Sequence, residues 1–395
     1  MFEGVRVLEL AQWVFVPATG AVLADLGADV IKIENPSTGD PYRGLSTMGI
    51  AAEVGGVNLN WEQNNRGKKS LALDIRKDEG REIVYELVAN SDVFLTNFLP
   101  RTLKRLGYDV EDLRAINPKI IYARGHGFGI RGNEANTPSY DSTAYWARGG
   151  FAHTLTPSDY DGEIGSRGAI GDKPAAINLA FGIAAALFNR ERTGEPAVVD
   201  VSLLSSAVWT LSSDILSSTV KEPLDPAVKP NRRLDGYRTK DGRLIIVSFL
   251  NEGHFPGFCA AIGRADLAAD PRFSTRASRL ANIDAFEAEM RATLESRTFT
   301  EWVEILRRSQ SPWAPIQSAA EVANDPQVVA NNYLVELDSG KGFSFKLASP
   351  PAQFNETPIT PTRAPSVGEH TEEILRSTGK TDEEIIDLKL KDVLA

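Results

Sequence analysis

Residues 5–34 read VRVLELAQWVFVPATGAVLADLGADVIKIE, and this stretch decides the fold class. Residues 5–10 and 29–34 are short runs rich in Val, Ile and Leu, which is typical of strands. Residues 17–26 have the apolar spacing of a helix with a proline in its first turn. Strand, helix and strand in this order make the repeating unit of a parallel sheet. The stretch therefore predicts an α/β fold.

The same alternation continues to about residue 200. Further strands are predicted at residues 70–74, 92–96, 120–124 and 197–202. Helices are predicted at 78–88, 101–106, 110–116 and 176–190, with a further apolar helix reaching residue 209. The strand at 120–124 leads directly into the glycine-rich turn GHGFG at 125–129. Because open α/β sheets bind ligands at the carboxyl ends of their strands, we expect the functional site near this turn.

A change of pattern indicates a second, smaller domain. Residues 220–236 are rich in proline and charge and are predicted to be a linker. A hairpin turning at Asp241-Gly242 within 237–249, and helices at 283–294 and 300–308, follow it. A helix at 371–377 is predicted to return to the first domain. We therefore expect a large Rossmann-like domain (1–219 and 330–395) and a smaller α+β domain with a return linker (237–329).

Composition excludes several classes of function. The 395 residues carry a net charge of −10, which argues against a nucleic-acid partner, because phosphate contacts need a broad basic face. No run of about 18 apolar residues could span a bilayer, and no signal-like segment is seen. We therefore expect a cytoplasmic protein with no membrane partner.

The usual cofactor motifs are missing. Cys259 is the only cysteine, and the four histidines have no metal-ligand spacing, so no metal is expected. No phosphate-binding loop with its Gly-Lys-Ser/Thr ending occurs, so ATP use is not expected. The segment AQWVFVP at 11–17 has bulky residues where a dinucleotide-binding loop needs glycines. We predict no permanently bound cofactor.

The strongest local signal is PSYDSTAYWARGG at residues 138–150. Other segments accompany it: LGADVIKIE at 26–34, NRGKKS at 65–70, Gly107-Tyr108, Asn117-Pro118, Gly171-Asp172 and Gly368-Glu369-His370. In this order and spacing the chain resembles, over nearly its whole length, the class III CoA-transferases. This is the family named after crotonobetainyl-CoA:carnitine and formyl-CoA transferases. The resemblance implies a CoA-transferase that acts on an acyl-CoA and a carboxylic acid, and an interlocked homodimer.

The resemblance makes Asp141 the expected nucleophile. A carboxylate can attack an acyl-CoA thioester to form a mixed anhydride and then an aspartyl-CoA thioester. Because one thioester replaces another, CoA is only carried and neither ATP nor metal is required. Gly149, Gly150 and the turn at 125–129 are candidates to approach the oxyanion. From the residues alone, Asp141 is also a good helix N-cap.

Several residues are candidates to bind CoA. Asn97, Phe98 and Arg105 match family positions at the CoA site. Arg66, Lys68 and Lys69 are candidates by charge and motif, since the phosphates of CoA need cations. His126 is a candidate because it lies in the glycine-rich turn, although a lone histidine in such a turn more often has a structural hydrogen-bonding role. Each cation could instead be a solvated surface charge, and Phe98 could belong to the core.

Two departures bear on the substrate. Val14 and Asn35 stand where formyl-CoA transferase has a glutamine and an arginine, which disfavours oxalate or formate. The bulky run at 145–150 looks more like the branch acting on aryl or branched 2-hydroxy acids.

Two alternatives remain open. The 2-methylacyl-CoA racemases of the same family need two acid–base groups and typically place a histidine where Tyr140 stands, while Asp172 matches their second acid. A catalytically silent CoA-binding subunit is the other alternative, and the presence of Asp141 argues against it.

Overall fold

The computed structural model describes residues 1–46, 48–49, 53–220, 236–309 and 311–394. Its strands are β1 (Arg6–Leu10), β2 (Asp29–Glu34), β3 (Glu53–Val54), β4 (Val57–Asn58), β5 (Lys69–Ala72), β6 (Val93–Thr96), β7 (Ile121–His126), β8 (Val198–Ser202), β9 (Tyr237–Arg238), β10 (Leu244–Val247), β11 (Trp313–Pro315), β12 (Leu334–Asp338) and β13 (Ser344–Ala348).

The α-helices are α1 (Phe15–Asp25), α2 (Leu59–Asn65), α3 (Asp78–Ala89), α4 (Pro100–Leu106), α5 (Val110–Ile116), α6 (Phe151–Leu155), α7 (Asp172–Thr193), α8 (Leu203–Thr210), α9 (Ser212–Thr219), α10 (His254–Ala261), α11 (Ala265–Ala269), α12 (Arg276–Ala281), α13 (Ile283–Leu294), α14 (Phe299–Leu306), α15 (Ala319–Val322), α16 (Pro326–Ala330), α17 (Thr371–Ser377) and α18 (Asp382–Leu390). A 3-10 helix at Pro41–Leu45 and a π-helix at Ser142–Ala147 complete the helical segments of the described residues.

Six parallel strands form the main sheet, in the order β5-β2-β1-β6-β7-β8. The chain runs from β1 to β2 on one side, whereas β6 lies on the other side of β1. The strand order therefore reverses between β1 and β6. In sheets of this kind the crevice at the carboxyl ends beside such a reversal is the usual ligand site.

Helices cover both faces of this sheet. Val7 packs in one apolar cluster with side chains of α1 and α7, and its neighbour Leu8 packs in the other with side chains of α3, α17 and α18. Successive strand residues point to opposite faces of the sheet. Because helices cover both faces, Val7 and Leu8 are both fully buried. This two-sided burial explains why the strands are nearly continuous apolar runs.

The chain divides into two compact units, Met1–Ser212 with Val329–Ala395, and Ser213–Val328. The second unit has an antiparallel sheet in the order β11-β10-β9, and its core buries Phe258 and Trp302. The first unit also contains the antiparallel pairs β3-β4 and β12-β13. The predicted linker at 220–236 falls largely on 221–235, outside the described residues.

The predicted α/β class and parallel sheet are confirmed, with differences at element ends. The third strand of the main sheet was expected at 70–74 but ends at Ala72. Beyond it the backbone N–H of Asp74 donates to Val393 O, and Leu73 bridges to Leu394. Helix α18 was not predicted, although Thr381 and Glu384 form the capping box that marks its start. Within the described residues, no helix is long and apolar enough to cross a membrane.

Candidate active site

A cavity of about 420 Å³ opens at the carboxyl ends of β1, β6 and β7. The carboxylates of Asp141 and Asp172 line it together with His126. Five aromatic side chains also contribute: Trp13, Phe15, Phe98, Phe128 and Tyr140. The cavity thus combines acidic groups with an apolar wall, which is a common composition for sites that bind small molecules.

Asp141 immediately precedes the π-helix, whose side chains Ala144, Tyr145 and Trp146 are buried. The Asp141 side chain makes no capping hydrogen bond to this helix. Instead, Oδ2 accepts a hydrogen bond from the backbone N–H of Gly171 at 3.4 Å. A Cβ atom at Gly171 would lie 2.3 Å from Cγ of Tyr145, so only glycine permits this approach. The carboxylate therefore faces the cavity rather than capping its own helix.

Asp172, the first residue of α7, brings a second carboxyl group into the same cavity. Burial, and then the nearby charge of Asp141, raise the pKa of Asp172 to about 7, although Lys173 opposes this. The protonated form of Asp172 is therefore accessible near neutral pH. The pair can hold one negative charge and one transferable proton.

His126 lies at the end of β7 and is almost fully buried. Its Nε2 is 3.6 Å from Oδ1 of Asp200, which also pairs with Arg124. Burial alone would raise the pKa of Asp200, but His126 and Arg124 outweigh it and lower that pKa to about 2. Asp200 therefore remains ionised beside the His126 ring in the cavity wall.

A second cavity of about 230 Å³ adjoins the first, with Gln12, Phe98 and Thr102 lining both. Arg76 and Arg105 stand in this second cavity. Arg76 is already paired with Asp74 at 2.7 Å, whereas Arg105 forms no ion pair within the part of the chain that the structure describes. Arg105 can therefore offer a full positive charge to an anionic ligand.

Asn97 acts mainly on the backbone of the loop after β1. Its Oδ1 accepts from the N–H of Gln12 at 3.0 Å, and its Nδ2 donates to the carbonyl of Gln12 at 2.7 Å. Phe98 lies between the two cavities. Sequence analysis associated both residues with CoA, and both line the larger cavity.

Arg66, Lys68 and Lys69 are not brought to either cavity. Arg66 is buried against Asp25 at 2.6 Å, and Lys68 is buried 2.8 Å from Oε2 of Glu9. Lys69 is partly exposed and pairs with Glu373 at 3.1 Å. The charges of these residues are engaged within the fold.

The glycines differ in their placement. Gly125 and Gly127 line the larger cavity. Gly149 does not, and a Cβ there would lie 2.1 Å from the carbonyl oxygen of Tyr145. Gly150 begins α6 with a φ of 90° and is likewise absent from the lining of the cavity.

Trp13 and Arg76 are among the cavity residues that sequence analysis missed. Trp13 was noted only as a bulky residue that excludes a dinucleotide, and Arg76 was not considered. Their positions after β1 and β5 are the available signal, because side chains that follow neighbouring parallel strands gather at one edge. Among the described residues, no group of three or more His, Cys, Asp and Glu could hold a metal ion.

Comparison with known proteins identifies the family. The family model described as CoA-transferase family III matches residues 2–371. The chain is 32% identical to cinnamoyl-CoA:phenyllactate CoA-transferase of Clostridium sporogenes, covering 100% of this chain and 97% of the relative. It is 34% identical to acetyl-CoA:oxalate CoA-transferase of Acetobacter aceti, covering 85% of each.

Solved structures show the same relationship. The crystal structure of a CaiB/BaiF family protein from Brucella suis superposes with a TM-score of 0.79 at 30% identity, covering 95% of this chain and 99% of that one. With the fold, the two adjoining cavities and these matches in agreement, the chain belongs to CoA-transferase family III and is a CoA-transferase.

Proposed function

We propose that this enzyme moves CoA from an acyl-CoA to a carboxylic acid through covalent intermediates on Asp141. One observation carries the proposal. Asp141 lines a cavity that adjoins a second cavity holding Arg105, which has no ion-pair partner among the described residues. A thioester can then reach the carboxylate while the phosphates of CoA remain near the guanidinium.

The reaction balances without a further reagent. An oxygen of Asp141 attacks the thioester carbonyl carbon, the C–S bond breaks, and CoA leaves as a thiolate, giving a mixed anhydride. The thiolate attacks the Asp141 carbonyl, releasing the first acid and forming an aspartyl-CoA thioester. The acceptor carboxylate then repeats these steps in reverse order and regenerates Asp141. Since each thioester is replaced by another, the proposal includes no ATP, metal or permanently bound cofactor.

CoA is proposed to lie across both cavities. Its charged end contacts Arg105 and Arg76, because phosphates bind guanidinium groups strongly. The pantetheine arm passes Phe98 and the backbone of Gln12, which Asn97 holds. The backbone N–H groups near Gly125 and Gly127 are proposed to stabilise the oxyanion. His126 is assigned to the wall beside the thioester.

Asp172 is proposed to assist in its protonated form. A neutral carboxylic acid does not repel the Asp141 carboxylate, and it can donate a hydrogen bond to the departing thiolate. Arg66, Lys68 and Lys69 are left out of the proposed CoA site, because their charges are engaged elsewhere.

A racemase remains the second candidate, because Asp141 and Asp172 place two carboxyl groups in one cavity. Such an enzyme removes and returns the α-proton of a 2-methylacyl-CoA. Incubation in deuterium oxide without an acceptor acid separates the two, since only the racemase incorporates deuterium at the α-carbon. A silent CoA-binding subunit would bind CoA and form no adduct.

A cytoplasmic homodimer completes the proposal. Acyl-CoAs carry phosphate charges that do not cross a bilayer unaided, so the enzyme is expected where they are made.

Large apolar side chains are exposed on α7 and α8, with Phe181 74% and Trp209 77% exposed. Such residues often mark protein interfaces. Light scattering of the wild type and of Trp209→Glu tests the assembly: a dimer that becomes a monomer supports it.

The decisive experiment is mass spectrometry of the protein mixed with several acyl-CoAs. An adduct on the Asp141 peptide that hydroxylamine removes is expected in the wild type and not in Asp141→Ala. Asp159→Ala, a change of an exposed aspartate outside both cavities, is the matched control and should keep the adduct. An adduct that persists in Asp141→Ala would overturn the proposal.

A further inference from the structure

Two buried lysines hold the loop that follows β1, residues 11–14, and the first turn of α1, into which the loop leads. Nζ of Lys32 donates to the carbonyl of Ala11 at 2.7 Å, and Nζ of Lys68 donates to the carbonyl of Pro17 at 2.8 Å. Both ammonium groups also donate to Oε1 of Glu9 at 3.0 Å. All three charged side chains are fully buried, so water does not weaken these contacts.

Asp40 holds the middle of the loop at Trp13. Oδ1 of Asp40 accepts a hydrogen bond from the N–H of Trp13 at 3.1 Å, and Oδ2 of Asp40 lies 2.9 Å from Nζ of Lys32. Trp13 has a φ of 70°, in the left-handed region that a bulky residue rarely adopts. Such strain persists only where the surroundings determine the backbone. The buried ions therefore impose the position of Trp13.

The imposed position brings Trp13 against the residue that precedes the nucleophile. Its ring meets that of Tyr140 edge to face, with the centroids 5.3 Å apart and the planes at 86°. Both rings line the cavity that contains Asp141. Tyr140 is 53% exposed, so this half of the pair has free surface available to a ligand.

We propose that Trp13 and Tyr140 form a fixed aromatic wall that selects acyl-CoAs whose acyl group carries a flat aromatic ring. The inference rests on the proposed function, since the selected group must lie beside Asp141 as it is attacked. An aromatic ring gains from offset or edge contacts with such a pair, whereas an acetyl group gains little. Because the loop is clamped, no rearrangement is needed when the substrate enters.

The test measures how fast the Asp141 adduct forms from phenylacetyl-CoA and from acetyl-CoA, by mass spectrometry under single-turnover conditions. No acceptor acid is then needed. The wild type is expected to favour phenylacetyl-CoA. In Trp13→Ala the ratio of the two rates should fall by roughly tenfold to a hundredfold, the range for an apolar contact of this size, because the phenylacetyl rate falls more than the acetyl rate. Tyr140→Ala should show a smaller fall, and Trp13→Phe should retain most of the preference.

Tyr160→Ala is the matched control, because Tyr160 is 54% exposed and lies outside both cavities. Its preference should equal that of the wild type. The aromatic wall is overturned if the wild type reacts equally fast with both acyl-CoAs, or if Trp13→Ala slows adduct formation from both by the same factor. Either result leaves the proposed function standing. No adduct with any donor in the wild type overturns both. Adduct formation from acetyl-CoA confirms that each variant is folded.

Discussion

Nζ of Lys68 lies 2.8 Å from Oε2 of Glu9, and both side chains are fully buried. Lys32 pairs with both Glu9 and Asp40, so removing Lys68 leaves this buried cluster with one uncompensated negative charge. Lys68→Met should therefore lower the free energy of unfolding by about 3 kcal/mol. Urea denaturation of the wild type and the variant measures this change.

The adjacent lysine provides the control. Lys69 has 39% of its side chain exposed, and its partner Glu373 is more exposed still. Lys69→Met should change the free energy of unfolding by less than about 1 kcal/mol, as is usual for surface pairs. Equal losses for the two variants would show that Lys68 has no special structural role.

Asp172 should make stability depend on pH. Because burial and Asp141 raise its pKa to about 7, the folded protein retains this proton at pH values where the unfolded chain has lost it. The contribution to stability is present below about pH 4 and is lost as the pH rises towards 7. Asp172→Asn removes this dependence. Its free energy of unfolding, relative to the wild type, should therefore rise across this window.

The rise of the pKa of Asp172 from its ordinary value to about 7 corresponds to about 4 kcal/mol of the free energy of unfolding. We expect about half of this, because the carboxyl group faces a cavity. Denaturation at pH 4, 5.5 and 7.5 measures the trend. Asp159→Asn, an exposed change, is the control for the loss of one charge. A constant difference between Asp172→Asn and the wild type at all three pH values would contradict the assignment.

Arg105 should act on binding rather than on chemistry. Arg105→Ala is expected to raise KM for acyl-CoA by about tenfold, which corresponds to the loss of one charge-assisted hydrogen bond, with kcat within about threefold. Lys104→Ala, an exposed change on the same helix outside the cavity, is the control and should leave KM unchanged. Steady-state kinetics of the wild type and both variants measure KM and kcat. Equal KM values for all three proteins would remove Arg105 from the CoA site.

The six strands of the main sheet were predicted to within about two residues, because burial on both faces leaves continuous apolar runs. Sequence also held a signal that was not used: Glu9 and Lys32 interrupt two such runs and face each other in the register of β1 and β2. Charges at matching positions of neighbouring strands indicate a buried pair. The burial of Lys68 had no such signal in the sequence, because its partner Glu9 lies 59 residues away.

The site was accessible from sequence only in part. Asp141 was found by resemblance, and the structure brings it to a cavity with Asp172, His126 and Phe98. The strained backbone of Trp13 could not be predicted, since it depends on Asp40 and Lys32 meeting below the loop. Segments that carry strain for function depart from local preferences, so local patterns miss them.

Gly127 and Ser139 should be a matched pair beside Asp141, the proposed nucleophile. A Cβ at Gly127 would lie 1.6 Å from Oγ of Ser139 and 2.6 Å from its Cβ, with no other side chain closer than 3.7 Å. Gly127→Ala must therefore displace the segment that carries Asp141. We expect at least a tenfold loss of activity and about 1–3 kcal/mol of destabilisation, as for other overpacked sites.

The double variant Gly127→Ala with Ser139→Gly tests this explanation, because it removes the atoms that the new methyl group would meet. It should regain most of the activity and stability, and the non-additivity of the two changes reports their contact. Gly165→Ala, which has nothing within 4 Å of its added Cβ, is the control and should behave as the wild type. If the double variant were as impaired as Gly127→Ala, the effect would come from the backbone at Gly127 and not from the space that Ser139 fills.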